Sequence, residues 1–234
     1  MQTPTSSALL STWEKGRHCH PLDRGLLLYA VAAPEVEPDA LADQPLGQRN
    51  AALLRLRREL FGDLLSACLD CPSCGDKLEF TLAASHFLAL AGASASSVEL
   101  SGLRFRLPTT RDLARIPRDK DVVRAAESLV LLLLEADSGL DELAASRLSP
   151  QLASALEQAD PCLELALNLQ CPPCGHSWTS TLDIADFLWE EIDVHSRRLL
   201  DEVDVLARTY GWSEREILGL SEARRAAYLQ RAIA

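Results

Sequence analysis

The sequence predicts an α+β protein, mainly α, in which a duplicated zinc-ribbon-like β-hairpin unit is split by a helical insertion and followed by C-terminal helices. Three observations predict it. A short motif occurs twice, as Cys71-Pro72-Ser73-Cys74-Gly75 and Cys171-Pro172-Pro173-Cys174-Gly175, with 100 positions between equivalent residues. Around both copies, apolar residues alternate with the two-residue period of a half-buried strand. Elsewhere they recur at the spacing of an amphipathic helix.

Residues Asp23 to Val31 and Arg49 to Leu60 read as helices. In the second, Leu53, Leu54, Leu56 and Leu60 form a stripe between Arg55, Arg57, Arg58 and Glu59. The acidic, proline-bearing stretch Pro34 to Pro45 reads as the link between them. After Phe61-Gly62 the period changes to two. Leu65, Ala67 and Leu69 precede the first motif as Leu165, Leu167 and Leu169 precede the second. Leu78, Phe80 and Leu82 follow it as Trp178, Ser180 and Leu182 follow the other, and Phe87-Leu88 matches Phe187-Leu188. Each copy reads as strand, Cys-Pro-x-Cys-Gly knuckle, strand and short helix.

Between the copies, Val98 to Leu100 and Leu103 to Leu107 read as a strand pair turned at Ser101-Gly102. Pro108-Thr109-Thr110 starts a helical run in which Val122, Val123, Ala126, Leu129, Val130, Leu133 and Leu134 form a wide apolar face, broken at Asp137-Ser138-Gly139. Leu129 to Leu134 is a short buried helical segment. Ser149-Pro150 reads as a helix cap followed by a first-turn proline, and Asp160-Pro161 closes that helix. Toward the C-terminus Ile192, Leu199, Val203, Leu206 and Tyr210 fall at heptad-like spacing, with Arg197, Arg198, Asp201 and Glu202 on the outer face. Gly211 stops that helix. Ser213 with Glu216 forms a capping box beneath a Trp212–Ile217 staple, and Ser221 caps a last helix through Tyr228.

Composition narrows the function. The 234 residues are enough to bury one good core, or two small ones closely joined. The net charge of -11 works against binding a polyanion, because affinity for nucleic acid comes largely from neutralising phosphates. No basic-then-apolar leader opens the chain, and no apolar run reaches the roughly 18 residues of a membrane span. Seven cysteines, four of them in knuckle pairs, fit a reducing bacterial-type cytosol better than a secreted disulfide framework.

The knuckles carry the candidate site. Four thiolates held about 2.3 Å from a zinc ion fill its tetrahedral shell, so Cys71, Cys74, Cys171 and Cys174 are expected to share one structural Zn2+. Proline fixes φ after the first cysteine of each pair, and glycine after the second admits a positive φ that turns backbone N–H groups toward the sulfurs. The rival reading is a pair of degenerate knuckles that pack without metal.

Other chemistries compete less well. Cys-Pro-x-Cys also resembles a thiol-redox dithiol, but such cysteines open a long helix, whereas alternating strand patterns flank these. An iron–sulfur run through Cys68, Cys71 and Cys74 lacks its fourth cysteine. Cys68 falls on the strand face opposite the apolar set. Ribbons that bind nucleic acid carry basic residues where this chain has Asp70, Asp76, Glu79, Glu164 and Asp183. Lys77 and His176 flank the knuckles and read as facing water, although either can donate to a sulfur. His18 and His20 bracket Cys19 in what reads as a solvated terminus. No catalytic triad, phosphate loop or paired catalytic carboxylates emerge; Asp141-Glu142 and Glu190-Glu191 read as exposed helix faces.

Several blocks together resemble the T-even-type phage baseplate proteins, or baseplate hub assembly chaperones, of contractile-tailed phages, prophages and related injection systems. They are Leu54-Arg55-Leu56-Arg57 with Phe61-Gly62; the first knuckle with Leu78-Glu79-Phe80; Phe105-Arg106-Leu107-Pro108-Thr109 with Asp112-Leu113; Asp160-Pro161; and the second knuckle with Asp183 to Trp189. The likeness continues through Leu199-Leu200-Asp201-Glu202-Val203, Tyr210-Gly211-Trp212-Ser213-Glu214 and Arg224-Arg225-Ala226-Ala227-Tyr228-Leu229. It implies a non-enzymatic role in building a baseplate hub, in the host cytoplasm or within the particle, with hub proteins as partners and without nucleic acid, membrane or small-molecule substrate. It supplies no catalytic residue. The alternative function is a thiol-disulfide oxidoreductase working through the Cys-Pro-x-Cys pairs.

These readings divide the chain into an N-terminal helical segment (1–62), a first knuckle hairpin (63–91), a strand pair with helical insertion (92–161), a second knuckle hairpin (162–190) and a C-terminal helical segment (191–234), all packing as one domain. Tyr210 and Trp212, at a helix junction, are candidates for partner contact. An intramolecular staple explains them equally well.

Overall fold

Thr5 opens the first helix, its hydroxyl accepting from the Ala8 N–H, and Leu9, Leu10 and Trp13 are buried along one side of α1 (Ser6–Gly16). The computed structural model in which this is seen describes residues 4–92, 95–116, 121–135 and 141–233. α1 is a helix the sequence pattern did not announce, whereas His18 and His20 beyond its end are exposed, as expected. Its apolar side is covered by the C-terminal helix α8 (Ile184–Tyr210), to which Trp13 Nε1 donates at Asp193 Oδ1 over 2.7 Å. α2 (Pro21–Ala32) follows with His20 as its N-cap, the imidazole Nδ1 accepting from the Leu22 N–H, and Pro21 in the first turn. The acidic link contains a 3₁₀ turn, Pro38–Asp43. α3 (Leu46–Phe61) buries Leu53, Leu54 and Leu56 completely and ends at Gly62, whose φ of 87° an L side chain resists.

Among the described residues, three antiparallel strand pairs punctuate the helices. β1 (Leu64–Asp70) pairs with β2 (Lys77–Ala83), followed by the short helix α4 (Ala84–Leu90). β3 (Ser97–Leu100) and β4 (Leu103–Arg106) turn at Ser101 and Gly102, both with positive φ, as a two-residue hairpin loop requires. Three helices then precede the last hairpin: α5 (Thr110–Arg115), α6 (Val122–Leu133) and α7 (Glu142–Ala159). β5 (Ala166–Gln170) pairs with β6 (Ser177–Thr181). The chain is thus mainly helical with small antiparallel pairs, as expected.

Several expectations are corrected. The helix after the second hairpin is not short: α8 runs 27 residues without a break and passes the boundary expected at 190/191. Ser149-Pro150 is not a cap; Pro150 lies inside α7, whose N-cap is Asp141, accepting from the Ala144 N–H. Pro150 is exposed, so its ring points to water, where the lost hydrogen bond can be made to solvent. Val122 and Val123 stand 85% and 61% exposed at the start of α6, so the buried face begins later and centres on Val130 and Leu133. The break at Asp137-Ser138-Gly139 lies outside the described residues.

Among the described residues, two apolar clusters result. The larger gathers α1, α2, α3, α4, the inner faces of both knuckle hairpins and the first half of α8 around Tyr29, Leu53, Leu54, Leu56, Leu188 and Ile192. The smaller packs β3 and β4 on α6 and α7 around Phe105, Leu133 and Leu152. A polar seam joins them. Asp160 at the end of α7 accepts from the Gly47 N–H, Asn50 Nδ2 donates to the carbonyls of Cys162 and Leu163, and buried Arg49 donates to Thr110 Oγ1. Buried polar groups are tolerable only when paired in this way. Past Gly211 (φ 70°), α9 (Glu214–Leu218) and α10 (Glu222–Ile233) fold back on α8. The Ser213–Glu216 capping box forms as expected, and Ser221 Oγ accepts from the Arg224 N–H. Glu202 is not simply an outer-face residue: it binds Arg198 and the buried Arg225.

Candidate metal centre

Strand alternation aims the knuckles. In β1–β2 the cross-strand pairs Leu65–Leu82, Ala67–Phe80 and Leu69–Leu78 lie on the inner face; in β5–β6, Leu167–Ser180 and Leu169–Trp178 take the same places. This fixes which way each loop points when the strands end. The loops themselves close identically. The Cys71 N–H donates to the Asp76 carbonyl and the Gly75 N–H to the Cys71 carbonyl, at 2.8 and 2.9 Å. The Cys171 N–H donates to the His176 carbonyl and the Gly175 N–H to the Cys171 carbonyl, both at 2.8 Å. Gly75 and Gly175 carry φ of 76° and 72°, the left-handed turn that glycine makes without strain.

The hairpins bring all four expected cysteines together, each sulfur within 4.8 Å of the others. Cys71 Sγ lies 3.8 Å from Cys174 Sγ, and Cys74 Sγ 3.6 Å from Cys171 Sγ. Those separations exclude disulfides, which need about 2.05 Å. They match a tetrahedron of thiolates: metal–sulfur bonds of about 2.3 Å place its corners about 3.8 Å apart. Exchanging the two hairpins converts one close pair into the other. The first cysteine of each knuckle is buried and the second exposed. The donors therefore fit a single ion, and this cluster could hold one.

The electrostatics point the same way. Burial disfavours a thiolate at Cys71, but the backbone of Cys74 and Ser73 and the thiols of Cys171 and Cys74 bring its pKa down to about 7. The backbone of Asp76 draws Cys74 down, yet burial and the neighbouring thiols Cys171, Cys174 and Cys71 push it up to about 12. Backbone and neighbouring thiols thus favour a thiolate at Cys71, while burial and the same crowding of thiols hold a proton on Cys74. Four thiolates within this space call for a cation to offset their repulsion.

The remaining candidates separate from the site. Cys68 is exposed on the far face of β1, as expected. His176 and Lys77 are exposed, and the His176 ring stacks beside Trp178 with centroids 6.0 Å apart. Cys19 Sγ donates to the Lys15 carbonyl, and His18 Nε2 accepts from Arg17. Cys162, unremarked in the sequence reading, is buried with Sγ 3.8 Å from the Phe87 carbonyl, and burial pushes its thiol up. Asp76 was read only as surface charge; its Oδ2 lies 3.5 Å from Cys74 Sγ, a proximity only the turn closure reveals. Glu191, expected to be exposed, pairs with buried Arg57. Tyr210 and Trp212 stack at 4.7 Å and meet Tyr228 edge-on, closing the α8–α10 corner from within.

No protein-family profile, curated protein or solved structure matches the chain. Among the described residues, no helix is long and apolar enough to cross a membrane.

Proposed function

We propose that this chain is a non-enzymatic assembly factor or component of a contractile-tail baseplate hub, binding protein partners through a zinc-braced scaffold. The observation carrying the proposal is the four-sulfur cluster, which links hairpins 100 positions apart at spacings suited to a closed tetrahedral shell. A closed shell leaves no coordination position for substrate, so the ion's contribution is mechanical: it is a crosslink worth on the order of several kcal/mol through loop closure. Cys71, Cys74, Cys171 and Cys174 hold the Zn2+. The matching loop closures and strand parities favour a duplicated zinc-ribbon-like unit as its housing.

The braced unit sets the directions of α4 and α8, whose exposed apolar residues Leu90, Val194 and Leu200 offer surface to a partner. Assignment of the partners to a baseplate hub follows from the ordered sequence blocks described above. Deleting the gene is expected to abolish complete contractile particles in electron micrographs while tail tubes and heads still accumulate; normal particles from the deletion would refute the assignment. The alternative, a thiol-disulfide oxidoreductase, draws on the exposed Cys74 and Cys174. It requires insulin reduction with dithiol and reversible disulfide formation in the purified protein, and tightly bound zinc without that activity excludes it.

A further inference from the structure

We infer that the cleft between α1, α2 and α8 is a carboxylate-binding site, independent of the metal centre and of the hub assignment. Trp13, Arg17, His18, Arg24, Trp189, Glu190, Asp193 and Arg197 surround about 520 Å³ of space there. Two guanidinium groups lie over two indoles: Arg17 over Trp13 at 5.5 Å and Arg24 over Trp189 at 4.9 Å from the ring centroids. Arg24 is also pinned by donating Nε to the Gly16 carbonyl and Nη2 to the Arg17 carbonyl. Neither arginine has an ion-pair partner among the described residues. In a chain of net charge -11, Arg24 is held by two backbone carbonyls and the exposed Arg17 donates Nε to His18 Nε2, which leaves the terminal N–H groups of both guanidinium groups available.

The rest of the wall selects the ligand. Asp193 is already committed, accepting from Trp13 Nε1 and Arg197 Nε. Counting Arg17, Arg24 and Arg197 against Glu190 and Asp193 leaves the lining one positive charge in excess with His18 neutral. That excess suits a single carboxylate and opposes a phosphate dianion, which would face Glu190. A planar guanidinium edge offers two parallel N–H groups matching the two carboxylate oxygens. The flanking indoles supply apolar surface for the stem bearing that carboxylate. Such a group comes from a glutamate side chain of a partner polypeptide or from a free small acid.

Nuclear magnetic resonance separates these sources. The purified 234-residue protein is titrated with a blocked pentapeptide carrying one glutamate, with its glutamine counterpart, with benzoate and with inorganic phosphate, following the indole N–H signals of Trp13 and Trp189. Saturable shifts with the glutamate peptide alone establish a polypeptide ligand; equal response to benzoate establishes a small-acid ligand. Arg17→Gln, whose side chain anchors no other element, is expected to weaken binding at least fivefold with helicity and zinc content unchanged. Arg24→Gln should weaken it further. Silence of both indoles up to millimolar carboxylate, a response to the glutamine peptide equal to that to glutamate, stronger binding of phosphate, or an Arg17→Gln titration identical to wild type would each overturn the proposal.

Discussion

Arg57 on α3 and Glu191 on α8 meet side-on, Nε to Oε2 at 2.9 Å and Nη2 to Oε1 at 2.6 Å. The remaining Nη1 donates to the carbonyls of Gly62 and Leu64 at 2.8 and 2.7 Å. One guanidinium therefore ties the end of α3, the entry to β1 and the first third of α8 together. Removing Arg57 takes away four hydrogen bonds and leaves the partly exposed Glu191 carboxylate without its cation and two backbone carbonyls without their donor. Arg57→Ala is expected to cost about 3 kcal/mol, and Arg57→Lys most of that, because an ammonium cannot serve both oxygens and both carbonyls. Urea unfolding monitored by circular dichroism measures both; a change below about 0.5 kcal/mol in Arg57→Ala would show that the pair does not hold these elements.

The four-sulfur cluster makes a prediction about stoichiometry. Purified protein should carry one zinc per chain by elemental analysis, and Ser at any one of Cys71, Cys74, Cys171 or Cys174 should reduce it well below one. Cys68→Ser and Cys162→Ser are the controls and should leave it unchanged, since neither sulfur belongs to the cluster. A chelator strong enough to strip the metal should lower the melting temperature by several degrees, as loss of a crosslink between distant segments implies. Iron in place of zinc would keep the geometry and change the identity; no metal at all would leave two packed but empty knuckles.

Asp112 gives the fold an acid limit. Burial works against its charge, but the Arg106 guanidinium and the Thr109 hydroxyl and N–H outweigh it and hold the carboxyl below the usual aspartate value. A depressed native pKa means the unfolded chain binds the proton more readily. The stabilisation is complete above the ordinary value of about 3.9 and is lost as the pH falls through the lower native one. Asp112→Asn should cost about 2 kcal/mol at neutral pH, where it removes the charge from the buried end of a pair whose arginine is partly exposed. The gap from wild type should narrow below about pH 4. Melting temperatures from pH 7 to 2 test this; a constant gap would assign the effect to shape rather than charge.

The aromatic corner makes a local prediction. Trp212 lies 4.7 Å from Tyr210 and 4.8 Å from Tyr228, and Tyr210 Oη donates to the Tyr228 carbonyl at 3.3 Å. Trp212→Ala should therefore cost about 2 kcal/mol locally and raise amide exchange through α10, leaving the knuckles protected. If exchange in α10 is unchanged, the indole is a surface group available to a partner.

What could be read in advance was local, and what could not depended on distance. Gly75, Gly175, Gly211 and the Ser213–Glu216 box declare themselves because the backbone needs them within four residues. The shared parity of Leu65, Ala67 and Leu69 with Leu165, Leu167 and Leu169 was visible because alternation reports burial directly. α1 was missed because Trp13 acquires its meaning from Asp193, 180 positions away. Arg57 and Glu191 are 134 apart and look like ordinary surface charges in isolation. Pro150 misled because a proline on the exposed side of a helix and a proline in its first turn share one local pattern. Val122 and Val123 have the right residue type for a core but stand largely exposed among the described residues.

The seam between the two apolar clusters supplies a last test, because it rests on a residue without a side chain. A Cβ on Gly47 would occupy the space of the Asp160 carboxylate, while the Gly47 N–H donates to Asp160 Oδ2 at 3.1 Å. Asp160 is 1% exposed, so the carboxylate cannot swing into water without opening the contact between α3 and the end of α7. Gly47→Ala should then cost about 2 kcal/mol despite the better helix propensity of alanine, since the added methyl overpacks the Asp160 carboxylate and displaces it from the Gly47 N–H. Asp160→Ala should also destabilise, by losing the bond. Combined, the two changes should cost at least about 1 kcal/mol less than their sum, because the methyl then meets space instead of oxygen. Urea unfolding of the four species decides it: additivity within about 0.5 kcal/mol would mean the glycine and the aspartate act separately, and the seam is not the joint that couples the hairpin-bearing cluster to the insertion.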